Sequence, residues 1–134
     1  MGSWEWGVND LEIRSYRDLI VWQEGMGLAG DCYRLTGGFP KSEIYGMTAQ
    51  IRRAAASVPA NIAKGNGREN TGSYIQFLRI SQGSLKELET HLLLSVDVGL
   101  VTVESVEVAL ARCERVGKLL RALIRALQQK ERAD

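Results

Sequence analysis

The chain has 134 residues, 45% of them hydrophobic and 25% charged, with a formal net charge of +1. That length suits one domain with its own core, and the near-zero charge excludes strong global attraction to nucleic acid; any such contact must come from local clustering of cations. No apolar run approaches the ~20 residues that span a bilayer, and the start, from Met1 to Trp6, lacks the basic stretch and apolar core of a signal peptide, so a cytoplasmic protein with no membrane contact is expected.

Proline and glycine divide the chain into a tail and four helical stretches, and no segment alternates with the period of a strand. Residues 1–14 are expected to be a tail, poorly ordered or docked on a neighbour through Trp4 and Trp6. Residues 15–130 hold the helices, and 131–134 form a short C-terminal tail. The first helix is predicted over 16–36, with Ser15 as N-cap and Asp18 completing a capping box. Its core stripe is read as Leu19, Trp22, Met26, Ala29 and Tyr33. Gly25, Gly27 and Gly30 weaken it or admit a close neighbour.

The second helix is predicted over 42–64. Ile44, Met47, Ile51, Ala55, Val58 and Ile62 form its core stripe, and Pro59 is expected to kink it. Ala49, Ala56 and Ala63 repeat every seven residues on another side, where small side chains would admit a further helix. The third helix is predicted over 71–98, capped by Asn70, with a core face of Tyr74, Phe77, Leu78, Leu85, Leu88, Leu92 and Val96. Ile80 and Leu94 point away from that face, in line with Glu87 and His91, and suit a subunit interface. The fourth helix is predicted from Thr102 to about Lys130. Its seam, from Val103 through Val106, Leu110, Cys113, Gly117, Leu120 and Ile124 to Leu127, keeps the 3.5-residue period of a bundle. Ala109, Val116 and Leu123 widen the stripe, which suggests a further packing neighbour. Connections of about four to eight residues make successive helices antiparallel neighbours. The fold class is therefore all-α, an antiparallel up-down four-helix bundle assembling into a cyclic homo-oligomer.

No constellation of catalytic residues emerges. Two distant cysteines, Cys32 and Cys113, and the single histidine, His91, fall short of a four-ligand metal site, so no metal or cofactor is expected. His91 has Glu87 one turn before it but no nucleophile to activate. The segment Lys64-Gly65-Asn66-Gly67-Arg68 leads into a helix N-terminus, where backbone N–H groups and two cations could hold a phosphate; the plainer reading is a tight turn whose glycines supply positive φ. Arg52, Arg53, Arg112 and Arg115 lie mid-helix. With Lys64 and Arg68 they are the candidate nucleic-acid contacts, suited to phosphate more than to base edges; the plainer reading is a solvated, charge-rich face. The candidate oligomer interface comprises Ala49, Ala56, Ala63, Ile80, Leu94, Val116 and Leu123.

The segments Ser15-Tyr16-Arg17-Asp18-Leu19-Ile20-Val21-Trp22, Phe39-Pro40-Lys41 and Tyr45 to Ala54 resemble the four-helix-bundle proteins encoded by intervening sequences in bacterial large-subunit rRNA genes. The most specific match is Ser57-Val58-Pro59-Ala60-Asn61-Ile62-Ala63-Lys64-Gly65-Asn66-Gly67-Arg68, and Ser84 to Thr90 also fits. The resemblance covers roughly residues 13–127. It implies an up-down bundle assembling as a homopentamer, and a relation to the basic accessory proteins of diversity-generating retroelements. It implies no catalytic residues. Lys64 departs from the family, which usually has an acidic residue there, and makes the segment more basic. Two functional classes follow: an RNA-associated bundle, alone or with a nucleic-acid-processing protein, or a protein-interaction scaffold without nucleic-acid contact. An enzyme is the weakest reading.

Overall fold

The computed structural model describes residues 14–133; the expected roles of Trp4 and Trp6 lie outside the described residues. Four α-helices, α1 (Ile20–Thr36), α2 (Met47–Asn66), α3 (Thr71–Asp97) and α4 (Val103–Ala133), are joined by short connections that include one-turn 3-10 helices at Tyr16–Asp18 and Lys41–Glu43. No strand occurs among the described residues. Among the described residues no helix is long and apolar enough to cross a membrane.

Each helix packs on two others: α1 on α2 and α4, and α3 on α2 and α4. The axis of this arrangement is filled by aliphatic side chains, among them Leu28, Ile51, Val58, Leu78, Leu88, Leu92, Val116 and Leu120, all fully enclosed. A helix with two neighbours must be apolar over more than a narrow stripe. This explains the width of α4. Val116 and Leu123, expected at a subunit interface, are buried in the bundle's own core at 0% and 3% exposure and offer nothing to a second copy.

The capping box at the N-terminus is present, but it closes a 3-10 turn. The Asp18 carboxylate accepts from the backbone N–H groups of Arg14 and Ser15 at 2.7 and 3.2 Å. These bonds hold its pKa below the usual carboxylate range. Leu19 then leaves helical geometry (φ −75°, ψ 127°) and is buried, and α1 starts after it. The core stripe of α1 consequently falls on Val21, Gly25, Leu28 and Cys32, one residue away from the predicted stripe. Gly25 packs on Pro59 of α2, where a Cβ would rest in ordinary contact at 3.5 Å. Met26 and Tyr33, predicted in the core, are instead 48% and 46% exposed.

In α2 the helix begins later than predicted, at Met47, whose N–H is accepted by Glu43 Oε1 at 3.1 Å, and Ile44 is exposed. Pro59 is buried within it. The helix also runs further, through Gly65 and Asn66. Gly67 has φ −78°, and the only positive-φ residue among the described residues is Gly99 (φ 80°), so the glycines around Asn66 do not make a left-handed turn. Gly65 serves close approach instead: a Cβ there would lie 2.9 Å from Tyr74 Cδ1 and 3.0 Å from Phe77 Cβ. Asn70 caps α3 as expected, its side chain accepting from Ser73 N–H at 2.7 Å. α4 continues to Ala133, past the predicted end at Lys130.

Candidate nucleic-acid and subunit interfaces

The six candidate cations separate by what they touch. Arg112 reaches from α4 across Gly27 to Asp31 Oδ2 at 3.1 Å and Glu24 Oε1 at 3.6 Å. Arg115 joins the same Glu24 oxygen at 3.2 Å, and Arg34 completes the network on Asp31 at 2.9 Å. Glu24, Gly27 and Asp31 recur at helical spacing on one side of α1, which is why one guanidinium spans them. The charge of Arg112 and Arg115 is thus spent on joining α1 to α4.

Arg52 is occupied differently. Its Nε donates to Thr36 Oγ1 at 2.8 Å and its Nη2 to the Tyr33 carbonyl at 3.3 Å, while the guanidinium lies 4.7 Å from the Tyr33 ring centroid. Thr36 is the last residue of α1, so this cation sits at the negative end of the helix and adds a donor to a carbonyl that already accepts from the Gly37 N–H at 3.1 Å. Arg68, just past α2, places its guanidinium 4.5 Å from the Phe77 ring centroid and remains exposed. Arg53 and Lys64 are exposed and lie within 4.0 Å of no described carboxylate. Eleven residues separate them, about three turns, so they stand on one line of α2 with Ala56 and Ala60, also exposed, between them.

Two amides of the segment between α2 and α3 are already engaged. Gly67 N–H is donated to Ala63 O and Arg68 N–H to Gly65 O, which leaves those amides no free hydrogen for a phosphate.

The shifted face of α1 opens an apolar groove of about 480 Å³ against α2, lined by Trp22, Met26, Tyr33, Ala56, Pro59 and Ala60 among others. Tyr16 closes one end, its ring edge-on to Trp22 with centroids 5.2 Å apart. Ala63 lines this groove, and Ala49 is half-buried further along α2. On α3, Ile80 and Leu94 are 47% and 41% exposed. Val98 continues their line and Leu93 stands nearby, both exposed, which the sequence reading had passed over. The candidate interface residues therefore fall on two separate faces, with Val116 and Leu123 on neither.

His91 Nε2 lies 3.5 Å from Glu87 Oε2, the pairing its spacing predicted, and its Nδ1 is enclosed with no hydrogen-bond partner. Cys32 and Cys113 are free, buried thiols, and burial, with smaller contributions from neighbouring charge, pushes both up to about 12. A thiol so raised is a poor nucleophile at neutral pH.

A sequence model of the 23S rRNA-intervening sequence proteins matches residues 17–122. The chain belongs to that family. A solved structure with the 23S rRNA-intervening sequence protein's fold is a Bacteroides thetaiotaomicron protein described as one with unknown function from the S23 ribosomal protein family. It is similar at a TM-score of 0.70 and 23% identity, over 78% of this chain and 97% of that one. At that identity the likeness shows the fold. No curated protein matches the chain.

Proposed function

We propose that this 23S rRNA-intervening sequence protein is a non-enzymatic, antiparallel up-down four-helix bundle that forms a closed cyclic homo-oligomer, a pentamer in the first instance, and contacts RNA phosphates through cations its own ion pairs leave unused. The antiparallel order is supported by contacts that pair Thr36 with Arg52, Gly25 with Pro59, and Gly65 with Tyr74. Assembly is supported by Ile80 and Leu94, apolar and exposed on α3. A closed ring would cover such side chains without leaving open ends.

The observation that carries the RNA reading is the division among the cations. Arg52, Arg112 and Arg115 are committed to the fold, whereas Arg53, Lys64 and Arg68 are exposed and without a carboxylate partner among the described residues. Several copies of this small set on one ring would act together, so that weak contacts sum. Retention of RNA on the assembled protein at about 50 and about 200 mM salt tests this, because phosphate contacts weaken steeply over that range. Retention at the lower salt that falls sharply at the higher is expected. No retention at the lower salt, from a correctly assembled oligomer, overturns it and favours the second reading, a protein-interaction scaffold. The apolar groove between α1 and α2 is what speaks for that second reading.

A further inference from the structure

The helix contacts gather particular segments at each end of the bundle. The 3-10 helix at Tyr16–Asp18 packs on α2. The last turn of α2 meets the first turns of α3 at Gly65, and the last turn of α4 reaches α3, where a Cβ on Gly72 would lie 3.4 Å from Glu131 Oε2. One end of the molecule is therefore built from residues 14–18, the α2–α3 connection and the C-terminal turns of α4. It carries Arg14, Arg17, Lys64, Arg68, Lys130 and Arg132, all exposed. No side-chain nitrogen of these six lies within 4.0 Å of a described carboxylate oxygen. Of the described carboxylates at this end, Asp18 is taken up in capping the 3-10 turn, which leaves Glu69 and Glu131.

The opposite end has the reverse character. Lys41 stands there with Glu43, Asp97, Glu104 and Glu107, while the nearby Arg34 and Arg52 are held by Asp31 and the α1 C-terminus. The change of sign runs along a single exposed line of α4. Glu107, Glu114, Arg121, Arg125 and Arg132 follow one another at spacings of seven, seven, four and seven, which keeps them on one side of the helix. A net charge of +1 hides this polarity.

We infer that the phosphate-contact surface is centred on this basic end, with the RNA strand laid across the α2–α3 connection and the C-terminal turns of α4. The inference rests on the RNA reading above and locates its site; Lys64 and Arg68 belong to both, whereas Arg14, Arg17, Arg125, Lys130 and Arg132 enter only here. A flexible strand suits the surface better than a base-read duplex, because guanidinium and ammonium groups spread over this end fix phosphates and carry little sequence information.

The test moves charge along the axis without changing its total. Arg125→Glu and Arg132→Glu are combined with Glu104→Lys and Glu107→Lys, and the assembled protein is titrated with a labelled oligouridylate over a range of salt. Loss of binding relative to the wild type is expected despite identical net charge, with the slope of log affinity against log salt falling by about 0.7 for each phosphate contact removed. Lys130→Gln with Arg132→Gln, in the last turn beyond the core, asks the same question if the four-residue variant loses its helical signal; a shallower salt slope is expected there too. Wild-type binding that survives unchanged in the folded variants overturns the placement while leaving the RNA reading intact. A wild type that binds no oligouridylate fails the RNA reading itself. Capture of the wild type by phosphatidylglycerol vesicles, with no oligouridylate bound, would assign the end to a lipid surface and overturn the inference.

Discussion

The guanidinium of Arg112 lies over Gly27 so closely that a Cβ on that glycine would come within 2.8 Å of Arg112 Cζ, whereas a Cβ on Gly65 would meet the backbone oxygen of Tyr74 at 3.1 Å. The two crowded glycines differ in what must give way. Arg112 is the end of a long side chain and can move aside; its pairs with Glu24 and Asp31 are partly exposed and worth at most about 1 kcal/mol. Alanine in a helix gains about 1 kcal/mol over glycine. Gly27→Ala is therefore expected to leave the thermal midpoint nearly unchanged. Gly65→Ala receives the same helical gain but presses on Tyr74 and on Phe77 Cβ, and overpacking of that kind costs roughly 1–3 kcal/mol. Chemical denaturation of the two variants checks the contrast, and equal stability would show that α2 and α3 can part without cost.

Arg52 and Arg53 are neighbours with different duties. Arg52→Ala removes the donors to Thr36 Oγ1 and the Tyr33 carbonyl, and the cation at the α1 C-terminus. A loss of about 1–2 kcal/mol of stability is expected. Arg53→Ala, at an exposed position away from any carboxylate, should stay within about 0.5 kcal/mol of the wild type. Urea midpoints for the pair decide it; equal midpoints would remove Arg52 from its anchoring role.

Leu94 and Val116 were joined as interface candidates by sequence and are parted by the structure, one 41% exposed and the other fully buried. Leu94→Glu is expected to lower the assembled mass in light scattering while keeping the helical signal. Val116→Glu places a charge in the core and is expected to abolish folding. A Leu94→Glu protein that keeps its full assembled mass would take Leu94 out of the interface.

The two buried thiols give stability an alkaline limit. Their folded pKa, pushed up to about 12, lies above the ordinary 9.0, so unfolding lets them ionise. The stability they contribute is complete below about pH 9 and is lost as pH rises from there toward 12. The rise from pH 9 to pH 10 costs on the order of 1 kcal/mol per thiol. Denaturation curves near pH 8 and pH 10 should therefore differ less for Cys32→Ala with Cys113→Ala than for the wild type, and an unchanged difference would count against the linkage.

Much of the helical content was legible because its signals are local. Ser15 with Asp18 and Asn70 with Ser73 act through bonds over three residues, and the 3.5-residue seam of α4 survives from Val106 to Ile124. The face of α1 was not legible. Its stripes at Val21, Leu28 and Cys32 and at Trp22, Met26 and Ala29 are both apolar or small, and the choice between them depends on Leu19 leaving helical geometry and on Pro59 of another helix packing on Gly25. The same holds for the arginines. Which of them are committed depends on Glu24, Asp31 and Thr36, residues that sit far from their partners in sequence.

The seam between α2 and α3 is unlike the rest of the interior. Ser57 and Ser84 share a hydrogen bond of 2.8 Å, Ser81 Oγ donates to the Val58 carbonyl at 2.9 Å, and Asn61 Nδ2 donates to Ser57 O at 2.8 Å. Aliphatic side chains can trade one neighbour for another, but hydroxyls enclosed between helices cannot. Sliding α3 by one turn, about 5.4 Å, would take Ser81 and Ser84 from their partners and draw Tyr74 and Phe77 away from their close approach to Gly65. The register of α2 against α3 is therefore fixed by hydroxyl contacts between the two helices, whereas α1 is tied to α2 by the hydrogen bonds of Arg52 and to α4 by the ion pairs of Arg112 and Arg115.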